Sequence, residues 1–213
     1  MKTSLVPPPS IRAPGGDAAL STPSDGARPR TTVACMAENT KTKSTTTRGS
    51  KTTRRQGAER GFTASKELAA NLQVVLVDLL ELALQGKQAH WNVVGQNFRD
   101  THRQLDEIID AAREFSDTVA ERMRALHAVP DGRSATIAAK TTLPEFPAGE
   151  VSTSETIDLV TERLDATVAT MRGVHDEVDE EDPTSADILH AVIEKLEQFA
   201  WMVSAENRSP AGR

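Results

Sequence analysis

The sequence predicts an all-α fold: a four-helix bundle with a long crossover that carries a short helix, preceded by a disordered N-terminal tail. Three observations carry this expectation. From residue 65 onward Ala, Leu, Val, Glu and Arg dominate, aromatics are few and tyrosine is absent, which is the usage of helix-rich chains. Apolar residues recur there at alternating spacings of four and three. Ser/Thr capping patterns and Pro/Gly clusters then divide the stretch into four long segments.

Residues 1–64 form the predicted extension. Up to Phe62 they contain no aromatic residue and are rich in Pro, Gly, Ser and Thr, too little apolar surface to offset chain entropy. They hold 11 Lys or Arg against 4 Asp or Glu, a net of +7, whereas the remainder holds 14 against 27, a net of −13. An acidic body thus carries a basic tail. The basic part is 36–60; residues 1–35 are richer in proline, so Met36 is a candidate start of translation, with a targeting segment as the alternative.

The bundle is expected over 65–207. Leu72, Leu76, Leu79, Ala83, Gly86 and His90 lie on one face of a first helix that runs to about Val94 and stops at Gly95. A second helix extends from about Asn97 to Leu126. Pro130, Gly132, Pro144, Pro147 and Gly149 mark the long crossover, with a short helix at "SATIAAK". Ser152-x-x-Glu155 caps a third helix that starts near Ser154 and reaches about Glu180. The stretch "EEDPTSAD" breaks the chain, and Thr184-x-x-Asp187 caps a fourth helix to Asn207, leaving 208–213 as a short tail. Four helices with one long middle connection resemble the ferritin-like bundle topology.

Several function classes are disfavoured. The lone Cys35 has no disulfide partner and makes no CxxC pair, so nothing argues for an oxidising compartment or a zinc knuckle, and a cytoplasmic home fits. The longest apolar run, "VVLVDLLELAL", is interrupted by Asp78 and Glu81 and reads as an amphipathic helix, so no membrane partner is expected. Glu-x-x-His, the pair that builds di-iron sites inside one bundle, is absent.

The chemistry concentrates on the second helix. At about 100° per residue His102, Asp106, Asp117 and Glu121 share one face, and imidazole with carboxylate suits iron, manganese or zinc. Asp106 and Asp117 are separated by about 16 Å along an unbroken helix, too far to meet at one ion pair. Two copies packed antiparallel about a two-fold axis would bring the His102/Asp106 end of one to the Asp117/Glu121 end of the other and form two equivalent sites. Ala111 and Ala112 lie near the axis and are small enough for close approach. Spacing alone also fits a solvated helix face, and His90 on its apolar stripe also fits a hydrogen-bonded core histidine.

"KQAHWN" (87–92), His102-x-x-x-Asp106 and "DTVAER" (117–122) together resemble the Dps family, the ferritin-like DNA-protecting proteins of starved bacterial cells. The likeness continues through "ADILHAVIEKLEQFAWM" (186–202) and covers about 65–207. The resemblance implies a ferroxidase centre of two irons held by His90, His102 and Asp106 of one subunit and by Asp117 and Glu121 of its two-fold partner. It further implies a dodecameric shell that oxidises Fe(II) with hydrogen peroxide and stores ferric mineral, in the cytoplasm and associated with the nucleoid. Trp91 matches a family tryptophan near the centre that intercepts oxidising equivalents; Trp201 matches another aromatic and is expected to pack. By the same resemblance Asp182 and Asp187 match acids lining a three-fold pore, within the acidic run "HDEVDEEDPTSAD" (175–187). Some members bind DNA through basic tails. Here Lys41, Lys43, Arg48, Lys51, Arg54, Arg55 and Arg60 suit phosphates without sequence readout. The competing reading is a DNA-compacting protein without significant ferroxidase activity. His127, His175 and His190 have no partner at metal-ligand spacing and are expected to be structural or surface residues.

Overall fold

A computed structural model describes residues 61–210. Ser65 opens the first helix, α1 (Lys66–Asn92), by accepting the Leu68 amide at 3.0 Å. Its own amide and hydroxyl donate to the Glu181 carboxylate at 2.8 and 2.6 Å, tying the start of this helix to residue 181, where the third long helix ends. The chain continues through a two-residue strand β1 (Val93–Val94) to α2 (Phe98–Ala125), a short α3 (Ser134–Lys140), β2 (Val151–Ser152), α4 (Thr153–Glu181) and α5 (Pro183–Ala205). The fold class is the expected one: four long helices with a crossover that carries a short fifth.

The helices pair as α1 with α2 and α4 with α5, and α1 also packs on α4. Leu72, Leu76 and Leu79 of the predicted α1 stripe are buried, facing Leu105, Ile108 and Ile109 of α2 and Leu164, Met171, Leu189 and Leu196 of the second hairpin within one core. Burying each such leucine stabilises the fold by about 2 kcal/mol. Gly86 lies in the stripe for a steric reason: a Cβ there would sit 2.8 Å from Ile109 Cγ1, so its absence lets α2 approach.

Buried polar groups pin the crossover to the bundle. The Asp78 carboxylate accepts from the Thr142 amide at 2.8 Å and from the hydroxyls of Thr141, Thr142 and Thr170 at 3.0, 2.6 and 2.7 Å. Arg163 is buried and donates to Gln85 Oε1, Leu159 O and Glu145 O at 2.6 to 2.7 Å. Its guanidinium is held below its ordinary pKa by burial, against the opposing Glu162 carboxylate.

A two-residue parallel bridge, Val93 paired with Val151 and Val94 with Ser152, joins the end of α1 to the start of α4. Two expectations need correction here. Gly95, with φ 125°, follows the bridge and does not itself end the helix. The fourth helix starts at Pro183 with Asp182 as its preceding residue, so Thr184 is already inside it. Proline at the first helical position needs no amide partner, and Asp182 alone separates α4 from α5. Ser152 behaves as expected, accepting the Glu155 amide at 3.2 Å.

Candidate metal centre

The α1–α2 hairpin brings the last turn of α1 beside the first turns of α2. His90 of α1 there meets His102 and Asp106 of α2, and one ligand atom from each lies within 4.8 Å of the others. The two imidazoles stack, with centroids 3.6 Å apart and planes at 25°. His90 Nδ1 is 3.1 Å from the His102 carbonyl oxygen, and His102 Nδ1 is 3.0 Å from the His90 carbonyl oxygen. A carbonyl only accepts, so each Nδ1 carries the proton and each Nε2 keeps a lone pair for a metal ion. The sequence placed both histidines but not this reciprocal lock, which depends on the two helices' relative height.

Asp106 supplies the negative charge. Its Oδ1 accepts from Lys87 Nζ at 2.6 Å and lies 3.3 Å from His90 Nδ1. The Lys87 ammonium holds the Asp106 carboxyl below its ordinary range, with partial burial opposing. Burial pushes His90 below the usual imidazole value, with Asp106 pulling the other way, so the ring is neutral near pH 7. Neutral imidazole and ionised carboxylate are the forms that bind a divalent cation.

The remaining two predicted ligands are elsewhere on α2. Asp117 and Glu121 are exposed and do not join the His90, His102 and Asp106 group within one chain. Because α2 is unbroken from Phe98 to Ala125, the rise separates Asp106 from Asp117 by about 16 Å. The expectation for Ala111 and Ala112 fails: Ala112 is fully buried in its own core, and Ala111 lines a cleft with Ala191 and Lys195 of α5. The error was one of angle. Ala111 and Ala112 are central along the axis but about 130° from the ligand face, which at that height carries the exposed Asp110 and Arg113.

Trp91 follows His90 but points to solvent, 72% exposed. Trp201, expected to pack, is 64% exposed and borders an open cleft with Arg103, Glu107 and Met202. Asp182 is buried: Arg122 Nη2 bridges its two oxygens at 2.9 and 2.7 Å, and the Ser185 hydroxyl also donates to it. Burial pushes this carboxyl up, but Ser185 and Arg122 outweigh it and hold it below its ordinary value. A carboxylate so engaged does not attract cations from solvent, whereas Asp187 is exposed. His175 and His190, expected to stand apart, meet across α4 and α5 with Nε2 atoms 2.6 Å apart. Lys41, Lys43, Arg48, Lys51, Arg54, Arg55 and Arg60 lie outside the described residues, as do Cys35 and Met36. No helix among the described residues is long and apolar enough to cross a membrane.

Comparison with known proteins gives a consistent picture. The family described as Ferritin-like domain matches residues 69–208. The fine tangled pili major subunit of Haemophilus ducreyi is 36% identical over 138 residues, covering 65% of this chain and 73% of that protein. DNA protection during starvation protein 2 of Deinococcus radiodurans is 34% identical over 140 residues, covering 66% of this chain but only 58% of the relative. The solved structure of Dps from Microbacterium arborescens in the high iron form superposes with a TM-score of 0.64 at 34% identity, covering 69% of this chain and 99% of that one.

Proposed function

Because this chain belongs to the ferritin-like family, in its Dps branch, we propose that it is a ferroxidase and iron-storage protein whose di-iron sites form between two copies. The observation that carries this reading is the reciprocal His90/His102 lock, which leaves two imidazole lone pairs beside the Asp106 carboxylate. A histidine serving only the core would have no need of a second, stacked imidazole and an acid at the same point.

An antiparallel second copy completes the site. In such a pairing residue numbers that sum alike face each other: His102 meets Glu121, Asp106 meets Asp117, and Asp110 meets Arg113. The last pair places opposite charges against each other on both sides of the axis, where equal charges would repel. Trp91 is exposed in the single chain beside the first ligand, so a partner is what would cover it.

Fe(II) is the substrate. Two ferrous ions each give one electron to one hydrogen peroxide, whose O–O bond breaks to give two waters with two protons taken up. A lone ferrous ion gives one electron and leaves hydroxyl radical, so pairing the ions is protective. The dodecameric shell, the store of ferric mineral, Asp187 as a pore acid, and cytoplasmic, nucleoid-associated placement extend this reading. So does sequence-independent binding of DNA by the basic tail, in which twelve weak tails act together. Replacing His102 and Asp106 with alanine tests the centre. Peroxide-driven Fe(II) oxidation should fall roughly 100-fold while the particle keeps its mass; an unchanged rate contradicts the reading.

A further inference from the structure

The α4–α5 hairpin carries a second constellation of the same kind. His175 Nε2 and His190 Nε2 face each other at 2.6 Å, and the rings are tilted with centroids 4.5 Å apart. Each ring's other nitrogen is backed by an acid: His175 Nδ1 lies 3.2 Å from Asp176 Oδ1, and His190 Nδ1 lies 3.8 Å from Asp187 Oδ1. A carboxylate favours a proton on the nitrogen next to it, so Asp176 favours Nδ1–H on His175, while Asp187 stands beyond hydrogen-bond reach of His190. Without a metal ion one Nε2–H donates to the other ring at 2.6 Å, and an ion that displaces that proton would meet two facing lone pairs. Imidazole backed by a carboxylate through its far nitrogen is the usual support of a metal-binding histidine.

We infer that His175 and His190 form a second metal site, distinct from the His90 centre, for a borderline divalent transition ion such as Zn(II) or Co(II). Glu194 would become the third ligand by turning its side chain inward, because among the described residues only His90, His102 and Asp106 already stand together as three ligands. Glu194 lies one helical turn beyond His190 on the same face, and His175, His190 and Glu194 line one cavity of about 320 Å³. The pattern repeats the first centre: one imidazole from the first helix of a hairpin, then an imidazole and a carboxylate four residues on from the second. Two nitrogens bound at about 2.0–2.1 Å to one tetrahedral ion stand about 3.3 Å apart, so the rings must part by roughly 0.7 Å, a rotation that the exposed His190 can make. His190 is open to solvent, with its side chain 60% exposed, which leaves water to fill the remaining positions. Among the described residues that line this cavity the one arginine or lysine is Arg172, and it is occupied by Glu197.

The test isolates this pair. Assembled protein carrying His102→Ala and Asp106→Ala, which removes the first centre, is titrated with Co(II) and then Zn(II) at neutral pH. One Co(II) per chain should give a visible absorption band that Zn(II) abolishes. Adding His175→Gln or His190→Gln should weaken binding roughly tenfold or more, with Glu194→Gln costing less. Should the double variant fail to assemble, the same titration of the unmodified chain should lose one ion per chain on His190→Gln. Unchanged stoichiometry and affinity in both histidine variants, or no binding before they are made, overturns the site. Neither result depends on ferroxidase activity, so failure here leaves the proposed function standing.

Discussion

The two hairpins of the bundle solve one problem in different ways. In α1–α2 the imidazoles are oriented by each other's backbone carbonyls, and His90 is almost buried, its side chain 10% exposed. In α4–α5 they are oriented by surface carboxylates, and His190 stands in solvent. A carbonyl in a helix end cannot move or ionise, so the first arrangement holds its geometry in advance of the metal. A surface carboxylate is mobile and screened by salt, so the second should exchange ions readily and support slower or no turnover. On the proposed reading, the first hairpin is suited to chemistry and the second to capture.

The comparison can be broken most severely at the first hairpin. Alanine at both His102 and Asp106 should lower peroxide-driven oxidation roughly 100-fold, whereas His175→Gln with His190→Gln should change its rate less than about twofold, measured by the appearance of ferric absorbance. Equal losses from the two pairs would erase the distinction between them. The turn that closes α4–α5 is the next largest effect. Removing the Arg122 guanidinium leaves the buried Asp182 carboxylate unpaired, so Arg122→Ala should cost about 3 kcal/mol, read from denaturant unfolding.

The same turn gives a pH dependence. Asp182 is held below its ordinary value of 3.8, so its contribution is complete above that pH and is lost as acid titrates it through the lower folded value. Asp182→Asn should therefore flatten the acid limb of the melting temperature against pH. Smaller again, Gly86→Ala should destabilise by about 1–3 kcal/mol through the clash with Ile109, loosening the α1–α2 contact that sets the height of His90. Ser65→Ala should cost about 1 kcal/mol, because α1 loses its cap.

Much of this was legible in the chain itself. Leu72, Leu76 and Leu79 announced α1 because a helix buries one stripe, and "SATIAAK" showed as a helix between prolines. His90, His102 and Asp106 could be read as a group once the hairpin was assumed. The Val93–Val151 bridge could not, since two residues have no periodicity to detect. His175 and His190 were missed because they sit fifteen residues apart on different helices, a separation with no local signature. Their meeting depends on Asp182 alone forming the turn, a length the proline-containing stretch did not disclose. Ala111 and Ala112 misled because height along a helix was weighed without angle around it.

Mixed particles show whether each proposed ferroxidase site takes its ligands from two copies. One subunit carries His102→Ala and Asp106→Ala, the other Asp117→Ala and Glu121→Ala, and each alone should be inactive. Random pairing at equal amounts makes about half of the dimers mixed, each with one intact site, so about a quarter of full activity should return on co-assembly. Activity no greater than that of the two inactive parents would show that the five ligands do not meet across a two-fold interface.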